Sequence, residues 1–374
     1  MSFDAQVDAH LRERHWTAAT CPACSRLYYA KKPAESCGSL KCAGRYFFTE
    51  LSGRRRSSAL IDLTDRLGKT FVDAGIPSFP AVPAINSRED TLFIVAGIQA
   101  IYPGLYETGA VPADRQELGP RFVAQPSVRW NSHGHVADGI TTSFVNTCLL
   151  ESPSSPARHL ELLDLWLDTL SGLGLFAGHF RLVLRRTETE RLVVWKLHIN
   201  HGGLELGDAA YVESPAARIS DLGLGLERIA WALGGGSYFD SLGPWPFVLH
   251  APPRLVDSLR TLTLLVASGG RPGTRSVGQR VRRLAKDCAE FLPLVPVEQV
   301  AGHYHRFWSA FAELPVPVEQ TVAEIRREVD GRYLRAICDE LGTAVPAAAG
   351  DLDARLWALA GQGATTDDVR RAGA

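Results

Sequence analysis

The stretch from Ser220 to Leu233 contains residue types that can hold a flat ligand carrying phosphate. It reads S-D-L-G-L-G-L-E-R-I-A-W-A-L. Glycine has no side chain, so a planar group can lie directly against the backbone of Gly223 and Gly225. Arg228 supplies a planar, permanently charged group that suits phosphate. Because short glycine patterns are weak evidence alone, glycine used only for tight packing is the first alternative.

The same stretch predicts the elements that would position these groups. Apolar residues alternate with glycine up to Gly225, which is typical of a strand buried on one face and crowded by a ligand on the other. From Leu226 to Leu233 the apolar residues recur at helical spacing. We therefore predict a glycine-rich strand that runs directly into a helix, with Glu227 and Arg228 at the joint.

Two cysteine pairs near the N-terminus have the spacing of a metal knuckle. The first pair lies in C-P-A-C and the second in C-G-S-L-K-C, and the ligands would be Cys21, Cys24, Cys37 and Cys42. Four thiolates from two short turns match tetrahedral zinc, and such a closed site is structural. Redox-active or free thiols are the alternative.

A polar hairpin is predicted further along the chain. F-V-A-Q-P-S-V-R places Arg129 at the end of an apolar strand, and a β-branched strand returns after a polar loop. Arg129 can neutralise a phosphate while Phe144 on the return strand stacks on a base. His133 and His135 in the loop are predicted to be solvated, because no third metal ligand is in sight.

The segments between the cysteines and the hairpin predict a helix and two strands. Residues 60–75 have an amphipathic helical pattern, preceded by Arg54–Arg56 and a cap at Ser57–Ser58. The three prolines of 76–85 exclude a central strand and predict an edge or interface strand. The apolar run 91–98 predicts a buried strand.

The order of these motifs resembles the alanyl-tRNA synthetase family of class II. The resemblance rests on the cysteine knuckle, the Q-P-S-V-R hairpin and the D-L-G-L-G-L-E-R stretch, and it covers residues 20 to about 340. The knuckle is similar to that of the archaeal branch. The resemblance implies an α+β fold: an antiparallel class II sheet flanked by helices, with a zinc knuckle and a C-terminal helical domain.

The resemblance also implies roles for individual residues. Asp221 would hold the substrate α-ammonium, Arg228 the ATP tail and Arg129 the α-phosphate. Asp208 would line the amino-acid pocket, where the family has Asn or Thr; a salt-bridged Asp at a strand edge is the alternative. Mg²⁺ would accompany ATP, and the expected ATP-binding residues are Arg129, Phe144, Asn146, Gly223, Gly225, Glu227 and Arg228.

The return strand departs from the family pattern. The family has F-x-x-F-E-M, whereas this chain has F-V-N-T-C-L, so the family's Glu is absent. The geometry of ATP near Phe144 and Asn146 is therefore open.

The C-terminal third is predicted to be helical. It resembles the family domain that contacts the tRNA acceptor stem, and its candidate contacts are Arg271, Arg275, Arg280 and Arg283; a plain solvated helix face is the alternative. The predicted organisation is a knuckle segment (1–50), a catalytic domain (51–250), a helical domain (251–342) and a tail (343–374). We find no H-x-x-x-H motif of the family's editing type, so we expect no editing domain.

Composition narrows the class of protein. The net charge of −1 over 374 residues gives no global basic field of the kind that marks many nucleic-acid binders. The N-terminus lacks the apolar core of a signal peptide, and no apolar run reaches transmembrane length. An odd number of cysteines, seven, favours a reducing cytoplasm.

These observations predict a ligase that activates a small amino acid, most simply alanine, with ATP. The acceptor of the activated amino acid is open between tRNA, or a tRNA-like molecule, and a small molecule or carrier protein. A non-catalytic tRNA-binding paralogue is a third interpretation. We expect a monomer or homodimer without a membrane partner.

Overall fold

The computed structural model describes residues 2–51, 59–86, 91–116, 118–244, 246–292, 295–345 and 352–361. The cap predicted at Ser57–Ser58 and the adjacent Arg54–Arg56 lie outside these ranges. The chain divides into two compact units. The first comprises Met1–Val82, Asn86–Ser127 and Phe144–Ser241, and the second comprises Pro83–Ile85, Val128–Ser143 and Leu242–Ala374.

The first unit is built on a single sheet, which has eight strands within the described residues. They are β1 (Thr17–Thr20), β2 (Leu27–Ala30), β3 (Arg121–Val128), β4 (Ser143–Glu151), β5 (Phe180–Glu188), β6 (Val193–His201), β7 (Leu204–Glu213) and β8 (Arg218–Gly225). Their order is β1-β2-β5-β6-β7-β8-β4-β3, and the described pairings are antiparallel. This order places the glycine-rich strand β8 between β7 and β4.

Tight turns connect β5 through β8 as a meander. The turn between β6 and β7 uses Gly202 and Gly203, whose φ angles are +54° and +89°. A Cβ on Gly203 would lie 2.4 Å from the carbonyl oxygen of Arg45. Only glycine fits here, because both the backbone conformation and the close neighbour exclude a side chain.

Helices cover the sheet of the first unit. They are α1 (Phe3–Glu13), α2 (Leu40–Ala43), α3 (Phe48–Leu51), α4 (Leu60–Asp73), α5 (Gly97–Ile101), α6 (Leu105–Thr108), α7 (Pro156–Leu173) and α8 (Leu226–Gly234). The capping side chain of Ser155 accepts the N–H of Arg158 at 3.1 Å and so starts α7. The buried Trp166 of α7 donates from Nε1 to the carbonyl of Leu222 at 3.2 Å, which fixes α7 against β8.

The second unit is helical. It contains α9 (Phe247–His250), α10 (Pro253–Ala267), α11 (Ser276–Ala289), α12 (Val297–Ser309), α13 (Val318–Leu341) and α14 (Leu352–Gly361), together with the hairpin tip at 128–143. Every residue of α10 from Leu255 to Ala267 is buried, so α10 is the central helix of this unit. Two of those residues, Asp257 and Arg260, are charged types and therefore need internal partners.

Most predicted elements are confirmed. The strand that ends at Gly225 continues into α8 at Leu226, and α4 covers the amphipathic pattern that starts at Leu60. The fold is α+β with an antiparallel sheet and a C-terminal helical region, as the resemblance implied. In the described part of the chain, no helix is both long and apolar enough to span a bilayer.

Two strand predictions need correction. The run 91–98 is not a strand: residues 91–96 are irregular and α5 begins at Gly97. The proline-rich run 76–85 contains isolated bridges and no strand, and one of these bridges pairs Ser78 with Phe122, where the Phe79 N–H donates to the Phe122 carbonyl at 2.7 Å. It follows the edge of β3 without forming a ladder, because proline lacks the N–H that a ladder requires.

Candidate active site on the sheet

One face of β8 brings the predicted site residues together, and we call it the front face. Asp221, Gly223 and Gly225 alternate along the strand and therefore point to this side. Asp221 lies opposite Leu150 of β4 and Ala210 of β7, whereas Gly223 lies opposite Cys148 and Asp208. Asp208 is thus the diagonal neighbour of Asp221, at a typical separation of about 7–8 Å.

The two glycines of β8 differ in what surrounds them. A Cβ on Gly223 would lie 3.1 Å from Nδ2 of Asn146 and 3.4 Å from Sγ of Cys148. A Cβ on Gly225 would meet nothing closer than the stem of Arg228, at 3.5 Å. Packing within the protein therefore explains a glycine at 223 but not at 225.

Arg228 is anchored at the first turn of α8. Its Nη1 donates to the carbonyl of Glu205 at 2.9 Å, and its stem lies over Gly225. The side chain is partly buried, which limits its rotation. The strand–helix joint therefore holds a guanidinium close to the glycine floor, as the sequence predicted.

Glu227 and Asn146 make structural contacts. Glu227 is 1% exposed, and its two carboxylate oxygens accept the N–H of Val145 at 3.0 and 3.1 Å. Asn146 accepts the Gly97 N–H at 2.9 Å and the Cys148 thiol at 2.8 Å through Oδ1. These bonds fix β4 against α8 and α5; the predicted ATP contacts of both residues stay predictions. Phe144 is partly buried at the start of β4.

A charged cluster on the front face was missed by the sequence analysis. Lys196 Nζ lies 3.4 Å from Asp208 Oδ2, and His198 Nδ1 lies 3.2 Å from Glu205 Oε1. Burial tends to raise the pKa of Glu205, but the hydrogen bond to His198 and the charges of His198, Arg228 and Arg185 lower it overall. Asp208 is therefore ion-paired, as in the alternative considered for it, but it lies on the front face of the central strand β7 and not at an edge.

The hairpin tip belongs to the second unit. Arg129 is exposed just after β3, and its N–H donates to the carbonyl of Thr142 at 2.8 Å. The predicted solvation of His133 is wrong: its side chain is 11% exposed and Nε2 lies 3.0 Å from the buried Asp287. His135 is exposed, as expected.

The predicted basic surface is split. Arg280 lies over the ring of Trp130 at 4.8 Å, and Arg283 lies 3.6 Å from Asp287. Arg271 and Arg275 are exposed. Two of the four candidate contacts for an acceptor are therefore engaged within the protein.

The four N-terminal cysteines form a compact cluster. Their Sγ atoms all lie within 4.8 Å of one another, and those of Cys24 and Cys37 are 3.8 Å apart. Tetrahedral zinc with Zn–S bonds of about 2.3 Å separates its sulfurs by about 3.8 Å. Burial tends to raise the pKa of Cys21, but N–H groups of Cys37 and of the C-P-A-C turn lower it to about 6. The cluster therefore fits a zinc knuckle.

The sheet, the cysteine cluster and the C-terminal helices together define an α+β protein with an antiparallel sheet, an N-terminal four-cysteine cluster and a C-terminal helical region. No protein-family model matches the chain. The chain is 23% identical to the alanine–tRNA ligase of Korarchaeum cryptofilum over 90% of its own length and 40% of that protein.

Two further relatives are also alanine–tRNA ligases. The one from Caldivirga maquilingensis is 25% identical over 59% of this chain, and the one from Pyrobaculum calidifontis is 23% identical over 60%. Both alignments cover 26% of the relative, so the chain spans at most 40% of these proteins. The chain is therefore a distant homologue of alanine–tRNA ligases.

Proposed function

We propose that the protein activates a small amino acid, most simply alanine, with ATP to form an aminoacyl-adenylate. The observation that carries the proposal is the front face of β8, where Asp221, Gly223 and Gly225 lead into Arg228. A carboxylate for the α-ammonium, a backbone without a side chain at Gly225 and a guanidinium for phosphate are the groups that this reaction needs.

The proposed chemistry depends on positioning. The amino-acid carboxylate attacks the α-phosphorus of ATP, the bond between the α-phosphorus and the α,β-bridging oxygen breaks, and pyrophosphate leaves. The nucleophile is already ionised, so no general base is required. ATP enters as its magnesium complex, and Arg228 and Arg129 are proposed to neutralise charge on the phosphates.

The amino-acid pocket has an unusual polar floor. Asp208 stands where the family has Asn or Thr, and Lys196 lies 3.4 Å from it. A small amino acid bound at Asp221 would extend over Gly223 towards this pair. We therefore propose that Asp208 contributes to the choice of amino acid.

The acceptor of the activated amino acid is proposed to be tRNA or a tRNA-like molecule, by analogy with the relatives. A small molecule or a carrier protein is the second candidate. It is favoured by the contacts of Arg280 with Trp130 and of Arg283 with Asp287, which engage two of the four candidate arginines within the protein.

Amino-acid-dependent exchange between ATP and pyrophosphate tests the activation step. We expect exchange with alanine or another small amino acid, and its loss in Asp221→Asn, which keeps the shape but removes the charge. Arg218→Ala is the control, because Arg218 lies on the same strand and only pairs with Glu213 at 2.9 Å on the surface. If no small amino acid supports exchange, the activation proposal fails. Charging of tRNA by the same preparation then separates the two acceptors.

We also propose that the cysteine cluster holds structural zinc. Metal analysis of the purified protein should find about one equivalent, as a closed four-thiolate site requires. Cys24→Ser should lose it, whereas Cys338→Ser, at a buried position in α13, should retain it. Less than half an equivalent, with four titratable thiols in the cluster, would rule the site out.

A further inference from the structure

The base of the hairpin tip is held by a buried carboxylate from the helical unit. Asp257 of α10 is fully buried and accepts two hydrogen bonds from one residue. Its Oδ1 receives the N–H of Thr142 at 2.7 Å, and its Oδ2 receives the Thr142 hydroxyl at 2.6 Å. Hydrogen bonds to a charged group are short and strong, so Thr142 is fixed in both position and orientation.

The residue after Thr142 is held by the same helix. The carbonyl of Ser143 accepts Nη1 of Arg260 at 2.5 Å, and the hydroxyl of Ser143 accepts the Thr261 hydroxyl at 2.8 Å. Arg260 is itself fixed, because its guanidinium lies 4.4 Å from the ring of Trp308. Residues 142 and 143 therefore receive contacts from three polar residues within about one turn of one buried helix, immediately before Phe144.

Thr142 transmits this restraint to Arg129. The Thr142 carbonyl accepts the Arg129 N–H at 2.8 Å, and this bond closes the hairpin where β3 ends. Arg129 is exposed, so the direction of its side chain depends strongly on where its backbone is held. A buried Asp at 257 would cost stability if it had no partner, and its hydrogen bonds offset that cost.

We propose that Asp257 is a positioning residue for Arg129 and acts through Thr142. The carboxylate holds Thr142, Thr142 holds the backbone of Arg129, and the guanidinium is thereby aimed at the phosphate of a bound nucleotide. The last step rests on the proposed function, whereas the tether between the three residues does not.

Hydrogen exchange at the Arg129 amide tests the tether without any activity. Thr142→Val removes the hydroxyl bond, Asp257→Asn removes the charge, and Thr142→Ser restores the hydroxyl. We expect the Arg129 amide to exchange roughly tenfold faster in the first two variants and at the wild-type rate in Thr142→Ser. Thr263→Val is the matched control, because the Thr263 hydroxyl bonds only within α10, to the Leu259 carbonyl at 2.8 Å.

Steady-state exchange between ATP and pyrophosphate tests the consequence. Asp257→Asn and Thr142→Val should raise the KM for ATP roughly tenfold and lower kcat, since small misplacements of a binding group are costly. The KM for the amino acid should stay within about twofold, because Asp221 is untouched. A merely structural defect would affect both substrates.

Three results would overturn the proposal: unchanged exchange at the Arg129 amide, an unchanged KM for ATP despite faster amide exchange, or the same effects in Thr263→Val. If the wild-type protein catalyses no exchange reaction, the proposed function fails and the amide measurement still decides the tether.

Discussion

Alternate residues of β8 form its two faces, and the two faces differ in how deeply their residues are buried. The front face presents Asp221, Gly223 and Gly225, which are partly exposed, whereas Ser220 and Leu222 on the back face are fully buried. On the back, the Ser220 hydroxyl lies 2.7 Å from that of Ser154 and 3.1 Å from Nδ1 of the fully buried His159.

The difference shows how a strand can carry an open site. Leu222 is buried on the back, where its carbonyl also accepts the indole of Trp166, so packing there stabilises the strand. Glycine at positions 223 and 225 on the front face therefore does not remove the packing that stabilises the strand. Substitutions on the front should therefore change ligand binding, and those on the back should change stability.

Arg228→Ala should give the largest effect, on the front. We expect the rate of ATP–pyrophosphate exchange to fall by two to four orders of magnitude, which corresponds to about 3–5 kcal/mol of transition-state stabilisation. The measurement is kcat/KM for ATP, with Arg218→Ala as the surface control. Near-normal exchange by Arg228→Ala would show that the guanidinium does not act on the phosphates.

His159→Asn should give the next largest effect, on the back, and it should depend on pH. Burial and the nearby His10 lower the pKa of His159 from 6.5 to about 3. Below pH 6.5 the side chain of His159 binds a proton in the unfolded chain but not in the folded protein. The free energy of unfolding is therefore highest above that pH and falls as the pH decreases. Protonation of His159 in the unfolded chain should lower the free energy of unfolding by about 2 kcal/mol between pH 7.5 and pH 5.

His159→Asn should lack this contribution to the pH dependence of the unfolding free energy. Chemical denaturation at the two pH values gives the slope for the wild type, for His159→Asn and for the control His135→Asn, whose parent side chain is exposed. Equal slopes in the wild type and His159→Asn would contradict the assignment.

Gly225→Ala should give the smallest effect, on the front. The φ angle of Gly225 is −78° and the nearest atom to an added Cβ is 3.5 Å away, so alanine fits the protein. Stability should change by at most about 1 kcal/mol, because Gly225 is the N-cap of α8. The KM for ATP should nevertheless rise about tenfold if a flat ligand lies on this backbone.

Gly172→Ala is the control for this substitution, since a Cβ on Gly172 would have no neighbour within 4 Å. An unchanged KM for ATP in Gly225→Ala would show that the ligand does not contact the backbone of Gly225.

The sequence predicted the parts of the site that are local. The joint at Arg228 and the cysteine cluster depend on residues close together in the chain, and both have the expected local structure. The run 91–98 was wrongly predicted to be a strand because side chains, and not a neighbouring strand, accept hydrogen bonds from its backbone N–H groups. Gln99 Oε1 accepts the Val95 N–H at 2.7 Å, and Asn146, far away in sequence, accepts that of Gly97.

Other features depend on long-range pairing that no local pattern contains. The approach of His198 to Glu205 needs the register of β6 and β7, which shifts at a bulge between Ile199 and Asn200. Asp257 is fully buried, yet in the sequence it is one of several polar residues in α10 and nothing in its neighbours marks it as buried. Its partner lies 115 residues away in the chain.

The close contact between β7 and β8 bears on any attempt to redesign the choice of amino acid. A Cβ on Gly207 would lie 2.1 Å from the carbonyl oxygen of Gly223, so any side chain at 207 would push the two strands apart. The adjacent Asp208 lies on the front face, and its side chain is 26% exposed. A mutant library should therefore keep Gly207 invariant and vary Asp208 together with Lys196.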